Sequence, residues 1–258
     1  MQADGEFGFV LKQWRRKRRM SQLDLGLEAN VSSRHISFLE TGRARPSRQM
    51  ALLLGEALDM PRATRNHLLE TAGYSAVFRA RPAGAKDMAS VRAAIDWMLV
   101  RHDPYPALAL DRLWVVQRAN CCAMAMMEAL GLGVGDSLLD RLLCPGVGSA
   151  VFENWPEVAR HMLARLRTES AHLGGEPVLD AAIRALADDP ALDREEPAGP
   201  MPAFVPARYR MGGIVLSLMS TIAQFGTAED IALADLRIEL MFPADEPTKT
   251  MLERLGKA

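Results

Sequence analysis

Apolar residues recur every three or four positions through roughly the first 75 residues, and this spacing predicts a series of short helices. In the first of them, one helical face carries Phe7, Val10, Leu11 and Trp14. The opposite face carries Lys12, Arg16 and Arg19. Ser47 opens a fourth helix, and Pro61 starts a fifth that runs towards Ala72. The pattern predicts a small all-α domain of five helices.

The second and third of these helices lie between Ser21 and Gly42, close enough to predict a tight turn between them. Ser21 is a good N-cap, and three leucines supply apolar surface to the first helix: Leu23, Leu25 and Leu27. Gly26 is small where the two helices must nearly touch. Asn30 lies at the turn, where the backbone needs a left-handed conformation that Asn tolerates.

The helix after the turn has one buried side and one open side. Val31 fills the corner, Ser32 or Ser33 caps the helix, and Ile36 with Leu39 forms the buried stripe. The open side carries Ser33, Arg34, Ser37 and Phe38, which the major groove of DNA accepts. A helical hairpin in an ordinary core is the alternative. The flanks favour DNA, because Arg43 and Arg45 follow where phosphates would lie.

Charge divides the chain into two parts. Residues 1–81 hold fourteen Lys/Arg and eight Asp/Glu, a net charge of +6, whereas the remainder has a net charge of −7. A basic surface attracts a polyphosphate by releasing condensed counterions, without regard to base sequence. Beside a candidate reading helix, the basic run at 15–19 therefore supports double-stranded DNA as the partner.

The second part has strand patterns before and after a helical middle. Residues 104–120 predict two strands joined near Asp111, and 121–132 predict an apolar helix rich in Met. Longer helices are predicted from about Trp155 to Ala171 and from Pro177 to Ala187. After a proline- and acid-rich connector (188–202), the pair Gly212-Gly213 predicts a hairpin, and a further strand follows. These elements indicate an α+β sheet with helices over one face and room for an internal pocket.

The residue pattern of the helix predicted from Trp155 suggests what ligand that pocket could hold. Trp155, Val158, Ala159, Met162 and Leu166 share one stripe, with Glu169 inside it and Arg165 on its margin. Arg165 and Glu169 are either an intrahelical ion pair or a site where Arg165 binds an anion. Flexible Met side chains suit an irregular apolar ligand. The candidate ligand residues are Trp155, Met162, Arg165, Leu166, Glu169, Met124 and Met219.

Signals for other classes of protein are weak. The five histidines show no metal-ligand spacing, and no nucleophile elbow or phosphate loop is present, so we expect no metal, no cofactor and no catalysis. Three cysteines form no disulfide framework, which fits a cytoplasmic protein. No apolar run approaches the roughly 18 residues of a membrane span, and no signal peptide is evident.

Residues 7–60 resemble the XRE class of helix-turn-helix proteins, whose DNA-binding domain is that of the Cro and lambda repressors. The motif SxxHISFLETGRARPSRQM is similar to a subset of that class fused to an MmyB-like ligand-binding domain with a PAS-like fold. Three segments of the second half agree with that subset: PYPALALDRLWVVQRAN, NWPEVARHMLARLRTES and TIAQFGTAEDIALADLRIELMFPADE. The resemblance implies a bacterial transcription regulator and, from some members, a fatty-acyl ligand.

The resemblance also implies roles for single residues. Gln22 would contact phosphate, Ser33, Arg34 and Phe38 would face base edges, and Thr41, Arg43 and Arg45 would lie on the DNA backbone. With the helix cap Ser32 and with Ser37, these form the predicted DNA-contacting set. An Arg15–Glu40 pair would tie the first helix to the reading helix. Gly26 replaces the usual alanine and Asn30 the usual turn glycine, and Phe38 stands where polar residues are common, so it is expected to contact a thymine methyl.

We therefore expect a multi-domain protein, with a DNA-binding domain at 1–78, a linker at 79–90 and a ligand-binding, dimerising PAS-like domain at 91–258. The expected function is a homodimeric, ligand-sensing transcription regulator that takes a fatty acid or an acyl-thioester. Two alternatives stay open: a constitutive DNA-binding protein whose second domain only dimerises, and an enzyme fused to a DNA-binding domain.

Overall fold

The structure is a computed structural model that describes residues 3–79, 88–192, 204–225 and 230–256. The chain divides into two compact units, the first built mainly from residues before 80 and the second mainly from later residues. The predicted linker (79–90) lies mostly outside the described residues, as does most of the predicted connector (188–202). The domain boundaries at 78 and 91 therefore stay a prediction.

The described residues before 80 form five helices, which confirms the all-α prediction: α1 (Ala3–Lys17), α2 (Gln22–Glu28), α3 (Ser33–Glu40), α4 (Arg48–Ala57) and α5 (Arg62–Thr71). Three of them begin after a serine whose hydroxyl accepts a backbone N–H of the first turn. Ser21 accepts from Asp24, Ser32 from His35 and Ser47 from Met50. Of the two serines considered for α3, Ser32 is thus the cap.

The turn between α2 and α3 has the geometry expected from its residues. Asn30 adopts the left-handed conformation with φ +52°. A Cβ on Gly26 would lie 2.5 Å from the carbonyl oxygen of Val31, so any larger residue would force the two helices apart. Glycine at 26 therefore sets how closely the start of α3 approaches α2.

The core of this unit is formed by one side of each helix. Its largest fully buried side chains are Leu11, Leu25, Ile36, Leu39, Leu54, Leu58, Met60, Leu68 and Leu69. The prediction that Leu23, Leu25 and Leu27 all supply apolar surface is wrong for two of them, since Leu23 and Leu27 are 58% and 73% exposed. Leu23 and Leu27 lie about 40° apart around the helix, and each lies about 200° from Leu25, so the orientation that buries Leu25 exposes the other two.

A buried ion pair connects α1, α2 and α3. Arg15 donates two hydrogen bonds to Glu40, from Nε to Oε1 (2.6 Å) and from Nη2 to Oε2 (2.9 Å), as the family resemblance implied. The Nε2 of Gln22 donates to the same carboxylate at 2.8 Å, and Nη1 of Arg15 donates to the carbonyl of Met20. These bonds fix the carboxyl end of α3 against the two helices before it.

The pKa values of Arg15 and Glu40 show that the fold favours the charged form of each. Burial by itself would raise the pKa of Glu40, but hydrogen bonds from Arg15 and Gln22 and the charge of Arg15 outweigh it and lower that pKa below its ordinary value. The hydrogen bond to Glu40 in turn raises the pKa of Arg15. Both groups are therefore charged at neutral pH, and their charges are satisfied by each other.

After residue 88 the chain forms helices and strands in this order: α6 (Ala89–Arg101), β1 (Ala107–Leu110), β2 (Val116–Ala119), α7 (Cys121–Glu128), α8 (Leu138–Leu142), α9 (Val147–Val151), α10 (Trp155–Leu173), α11 (Pro177–Ala187), β3 (Ala207–Met211), β4 (Ile214–Gln224), α12 (Ile231–Ala234), β5 (Arg237–Pro243) and α13 (Glu246–Leu255). The five strands form one antiparallel sheet of order β2-β1-β5-β4-β3. Gly212 and Gly213, both at positive φ, make the hairpin turn between β3 and β4. The α+β fold is as predicted.

The strand register assigns the side chains to two faces of the sheet. Ala109 pairs with Ile238, and both pack against Ile95 and Leu99 of α6. Leu108 pairs with Glu239 and so belongs to the opposite face, which also carries Tyr209 against Phe152, the residue after α9. Helices therefore pack on both faces, which corrects the expectation of helices over one face only.

Replacing Gly26 by Ala should loosen the α2–α3 turn. Because the new methyl group would meet a backbone oxygen rather than a flexible side chain, the cost should be about 1–3 kcal/mol. Hydrogen exchange of the α3 amides in the full-length protein measures the change. Leu27→Ala, which truncates an exposed neighbour, is the control and should stay within about 0.5 kcal/mol of wild type. If the α3 amides are equally protected from exchange in the two variants, the close approach of position 26 to the Val31 carbonyl does not restrict the side chain there.

The Arg15–Glu40 pair should make the stability of α3 depend on pH. Glu40 contributes fully above its ordinary pKa of 4.5, and the contribution is lost as pH falls through its lower folded pKa. Glu40→Gln should therefore destabilise α3 by about 1–3 kcal/mol at pH 7, and the difference from wild type should shrink below pH 4.5.

The measurement is again hydrogen exchange, corrected for the intrinsic exchange rate at each pH. Glu56→Gln, an exposed position on α4, serves as the control and should stay within about 0.5 kcal/mol at each pH. A difference between Glu40→Gln and wild type that is unchanged at acid pH would argue against the ionised pair as the source.

Candidate functional site

The outer side of α3 is a surface of mixed polar and aromatic character. Arg34 is exposed, and Ser33, Ser37 and Phe38 are half-buried, whereas Ile36 and Leu39 point into the core. The guanidinium carbon of Arg34 lies 5.3 Å from the centroid of the Phe38 ring. The structure thus places all four residues predicted for the open side of α3 on that side.

The loop after α3 continues this surface. Thr41, Arg43 and Arg45 are exposed, and the Thr41 hydroxyl donates to the carbonyl of Ser37 at 2.7 Å. The N–H of Arg43 donates to the carbonyl of Phe38 at 2.8 Å, which fixes the start of the loop on the last turn of α3. Arg48, exposed in the first turn of α4, extends the same basic run. It was not predicted from the sequence as a DNA contact, although the spacing of arginines in GRARPSR could have suggested it.

Gln22 differs from the other predicted DNA contacts because its side chain is bonded to the buried ion pair. It is half-buried, and its amide nitrogen is already bonded to Glu40. Its place beside the carboxyl end of α3 is therefore set by the buried ion pair.

The described residues after 88 form a partly open cavity of about 330 Å³. Its walls come from α7, α8 and α9 and from strands β1, β3 and β5. The apolar lining residues are Pro106, Leu108, Ala123, Met126, Met127, Ala129, Leu130, Leu138, Leu142, Val147, Ala150, Val151, Phe152, Met211 and Met241. A cavity of this size and character suits a small apolar ligand or an apolar chain.

Three further lining residues carry polar groups: Arg141, Tyr209 and Arg210. Arg141 and Arg210 are exposed, and both are fixed by backbone carbonyls. The Nε of Arg141 donates to Leu130 at 2.6 Å, and Nη1 of Arg210 donates to Ser149 (2.8 Å) and Phe152 (2.9 Å). Burial, with a smaller effect from Glu239, raises the pKa of Tyr209, so its phenol stays neutral. The charge at the cavity is therefore positive.

The predicted ligand residues do not line this cavity. Trp155, Met162 and Leu166 are core residues of α10, and the indole of Trp155 donates to Asp189 at 2.8 Å. Arg165 points to the sheet, where Nη1 lies 3.3 Å from Glu239 and the guanidinium 4.2 Å from the Trp114 ring centroid. Glu169, also on α10, is absent from the lining. The apolar stripe of α10 is buried as predicted, but it does not line this cavity, and its role towards a ligand stays a prediction.

The two predicted methionines lie away from the cavity for geometric reasons. Met219 pairs with Phe242 in the register of β4 and β5, which puts it on the opposite sheet face from Met241, and it is 36% exposed. Met124 lies about 100° around α7 from Ala123. Ala123, Met126, Met127 and Leu130 follow the i, i+3, i+4, i+7 pattern, which was the signal for the lining face of α7.

The described residues contain no group of three or more His, Cys, Asp or Glu side chains placed to hold a metal ion. Within the same residues, no helix is both long and apolar enough to span a membrane. The three cysteines, Cys121, Cys122 and Cys144, are free thiols.

Comparisons with known protein families agree with both parts of this description. Residues 91–255 match the model of the MmyB-like transcription regulator ligand binding domain, and residues 6–68 match the model of a helix-turn-helix domain. No curated protein matches the chain. The first match spans well over half of the chain and confirms the resemblance drawn from the sequence. The protein therefore belongs to the family defined by the MmyB-like transcription regulator ligand binding domain, which it joins to an N-terminal helix-turn-helix domain.

Proposed function

We propose that this ligand-sensing transcription regulator reads double-stranded DNA with α3 and takes a fatty acid or an acyl-thioester in the cavity beside α7. The observation that carries the proposal is the orientation of α3. Its apolar side is held in the core by the Arg15–Glu40 pair, and its other side presents Arg34 and Phe38 outward. A helix with this division of its surface fits the major groove.

The contacts we assign follow from the exposed groups. Ser33, Arg34 and Phe38 face base edges, with Ser32 and Ser37 beside them. Thr41, Arg43 and Arg45 bind the DNA backbone, where positive charge supplies affinity without sequence preference. Gln22 keeps one amide N–H for a phosphate, because the amide has two N–H donors and the bond to Glu40 uses one.

A homodimer is the assembly we propose on DNA. Two copies of α3 would then enter successive major grooves about 34 Å apart, as in other helix-turn-helix dimers. Sedimentation that finds a monomer both on and off DNA would contradict this assembly. Because the target is DNA and the thiols are free, we place the protein in the bacterial cytoplasm.

The cavity supports an acyl ligand by its chemistry. Its lining is apolar apart from one neutral phenol and two guanidinium groups, and Arg141 and Arg210 retain N–H donors beyond those bonded to carbonyls. An alkyl chain with an anionic head satisfies both parts of this lining. Such a ligand changes DNA binding only if it binds two arrangements of the protein unequally.

The alternative of a constitutive DNA-binding protein with a dimerising second domain has one observation in its favour. Trp97 and Val100 on α6 are large apolar side chains that are mostly exposed, as at an association surface. A filled core would have supported this alternative further, but the cavity of about 330 Å³ favours a ligand.

Arg34→Ala and Arg43→Ala should weaken DNA binding in different ways. Arg34→Ala should cost about 1–3 kcal/mol and relax preference at one base pair, because a bidentate contact to guanine is lost. Arg43→Ala should weaken binding to all sequences alike and reduce the slope of log K against log[salt] by about 1. Selection from a random duplex pool, followed by titration at several salt concentrations, measures both. Unchanged base preference in Arg34→Ala would overturn the assignment of α3 as the reading surface.

Removing both cavity arginines should weaken acyl binding, because an anionic head group would lose its charged partners. In Arg141→Ala/Arg210→Ala, loss of a charge-assisted contact should raise the Kd for a fatty acid by about tenfold or more. Arg208→Ala is the matched control, since Arg208 lies on β3 without lining the cavity. Native mass spectrometry and thermal shift with fatty acids and acyl-thioesters measure binding and separate the two ligand types. No binding of either type by the wild-type protein would count against an acyl sensor.

A further inference from the structure

Arg34 and Phe38 are a contacting pair on the reading surface of α3. They lie four residues apart on the same side of the helix, with the guanidinium carbon of Arg34 5.3 Å from the centroid of the Phe38 ring. At this distance the positive charge is attracted by the face of the ring. Among the described residues, no carboxylate lies within ion-pair distance of Arg34. The ring is thus the partner that orients this guanidinium.

Phe38 is itself well anchored. Its carbonyl accepts hydrogen bonds from the N–H groups of Arg43 (2.8 Å) and Ala44 (3.2 Å), and the Thr41 hydroxyl lies 3.3 Å from the same oxygen. The half-buried ring therefore projects from a part of the helix that is held by the loop behind it. A flexible side chain such as Arg34 loses less entropy on binding when such a surface already restricts it.

The spacing of the pair allows its two side chains to reach different base pairs. A cation–π contact uses the charge of the guanidinium rather than its N–H donors, so these donors remain available to bind O6 and N7 of guanine together. Base pairs stack about 3.4 Å apart, and the 5.3 Å between the guanidinium carbon and the ring centroid is enough for the two side chains to reach two neighbouring base pairs. A thymine methyl is the apolar group that the major groove offers there.

We infer that Arg34 and Phe38 act as one reading unit, which recognises a G·C pair together with an adjacent T·A pair. Arg34 binds the guanine edge, and Phe38 both contacts the thymine methyl and positions Arg34. This inference rests on the proposed function and adds the base composition of part of the operator. It also makes Phe38 a positioning residue, so its substitution changes preference at a base that it does not touch.

The test separates the two roles of Phe38. Duplexes selected from a random pool by the full-length protein are titrated with wild type, Phe38→Leu, Phe38→Tyr and Phe38→Ala, with thymine or deoxyuridine at the predicted methyl position. Leucine keeps an apolar contact but has no ring, and tyrosine keeps the ring. Phe38→Leu should keep the preference for thymine over deoxyuridine but lower discrimination at guanine by about two- to fivefold. Phe38→Tyr should restore that discrimination, and Phe38→Ala should lose both preferences.

Controls keep this inference distinct from the proposed function. Leu27→Ala truncates an exposed apolar residue of α2 outside the reading surface and should leave both preferences intact. Equal affinity of all variants for non-specific DNA shows that α3 is still folded. If selection yields no preferred sequence at all, the proposed function fails. If it yields one in which Phe38→Leu and Phe38→Ala keep full discrimination at guanine, the proposed function stands and the reading unit is refuted.

Discussion

The reading surface depends on the buried contact between Arg15 and Glu40. A guanidinium and a carboxylate that meet through two hydrogen bonds define both distance and orientation, which apolar packing alone does less strictly. Arg15 comes from α1, Glu40 from the last residue of α3, and Gln22 from the first turn of α2. These hydrogen bonds therefore link the three helices at one point. Removing either Arg15 or Glu40 would leave the other as a buried, unpaired charge, so substitutions at these two positions should be poorly tolerated.

The DNA-binding part of the molecule was largely predictable because its signals are local. Ser21, Ser32 and Ser47 cap helices through contacts three residues away, and Asn30 takes a conformation that few side chains favour. Gly26 is required by a contact with Val31 only five residues later. The error concerned Leu23 and Leu27, which were assigned to the apolar surface of α2 because they are apolar, without regard to their angular position around the helix. The roles of single residues towards DNA stay predictions.

The ligand cavity was less predictable because its walls come from distant segments. Strands could be recognised from alternating apolar and polar residues and from the Gly212-Gly213 turn. The strand order β2-β1-β5-β4-β3 and its register depend on pairing between distant segments, so no single segment predicts them. Register alone decides that Met241 lines the cavity and that Met219 does not. The apolar stripe of α10 is equally compatible with core and with cavity wall. The sequence left Arg165 open between an ion pair with Glu169 and an anion site, and the structure adds contacts with Glu239 and Trp114 that come from distant segments.

Arg141 and Arg210 each do two things at once, and this restricts what can replace them. Arg141 holds the carbonyl of Leu130 after the end of α7, Arg210 holds those of Ser149 and Phe152 at the end of α9, and each guanidinium has further N–H donors. A lysine there would preserve the charge, but its three donors share one nitrogen, so the carbonyl and the anion would have to contact the same atom, whereas a guanidinium separates the two contacts. During divergence, relatives that switched to a neutral ligand would be released from this demand. Under the proposed function, the residue types at these two positions would then differ between relatives that bind an anionic ligand and relatives that bind a neutral one.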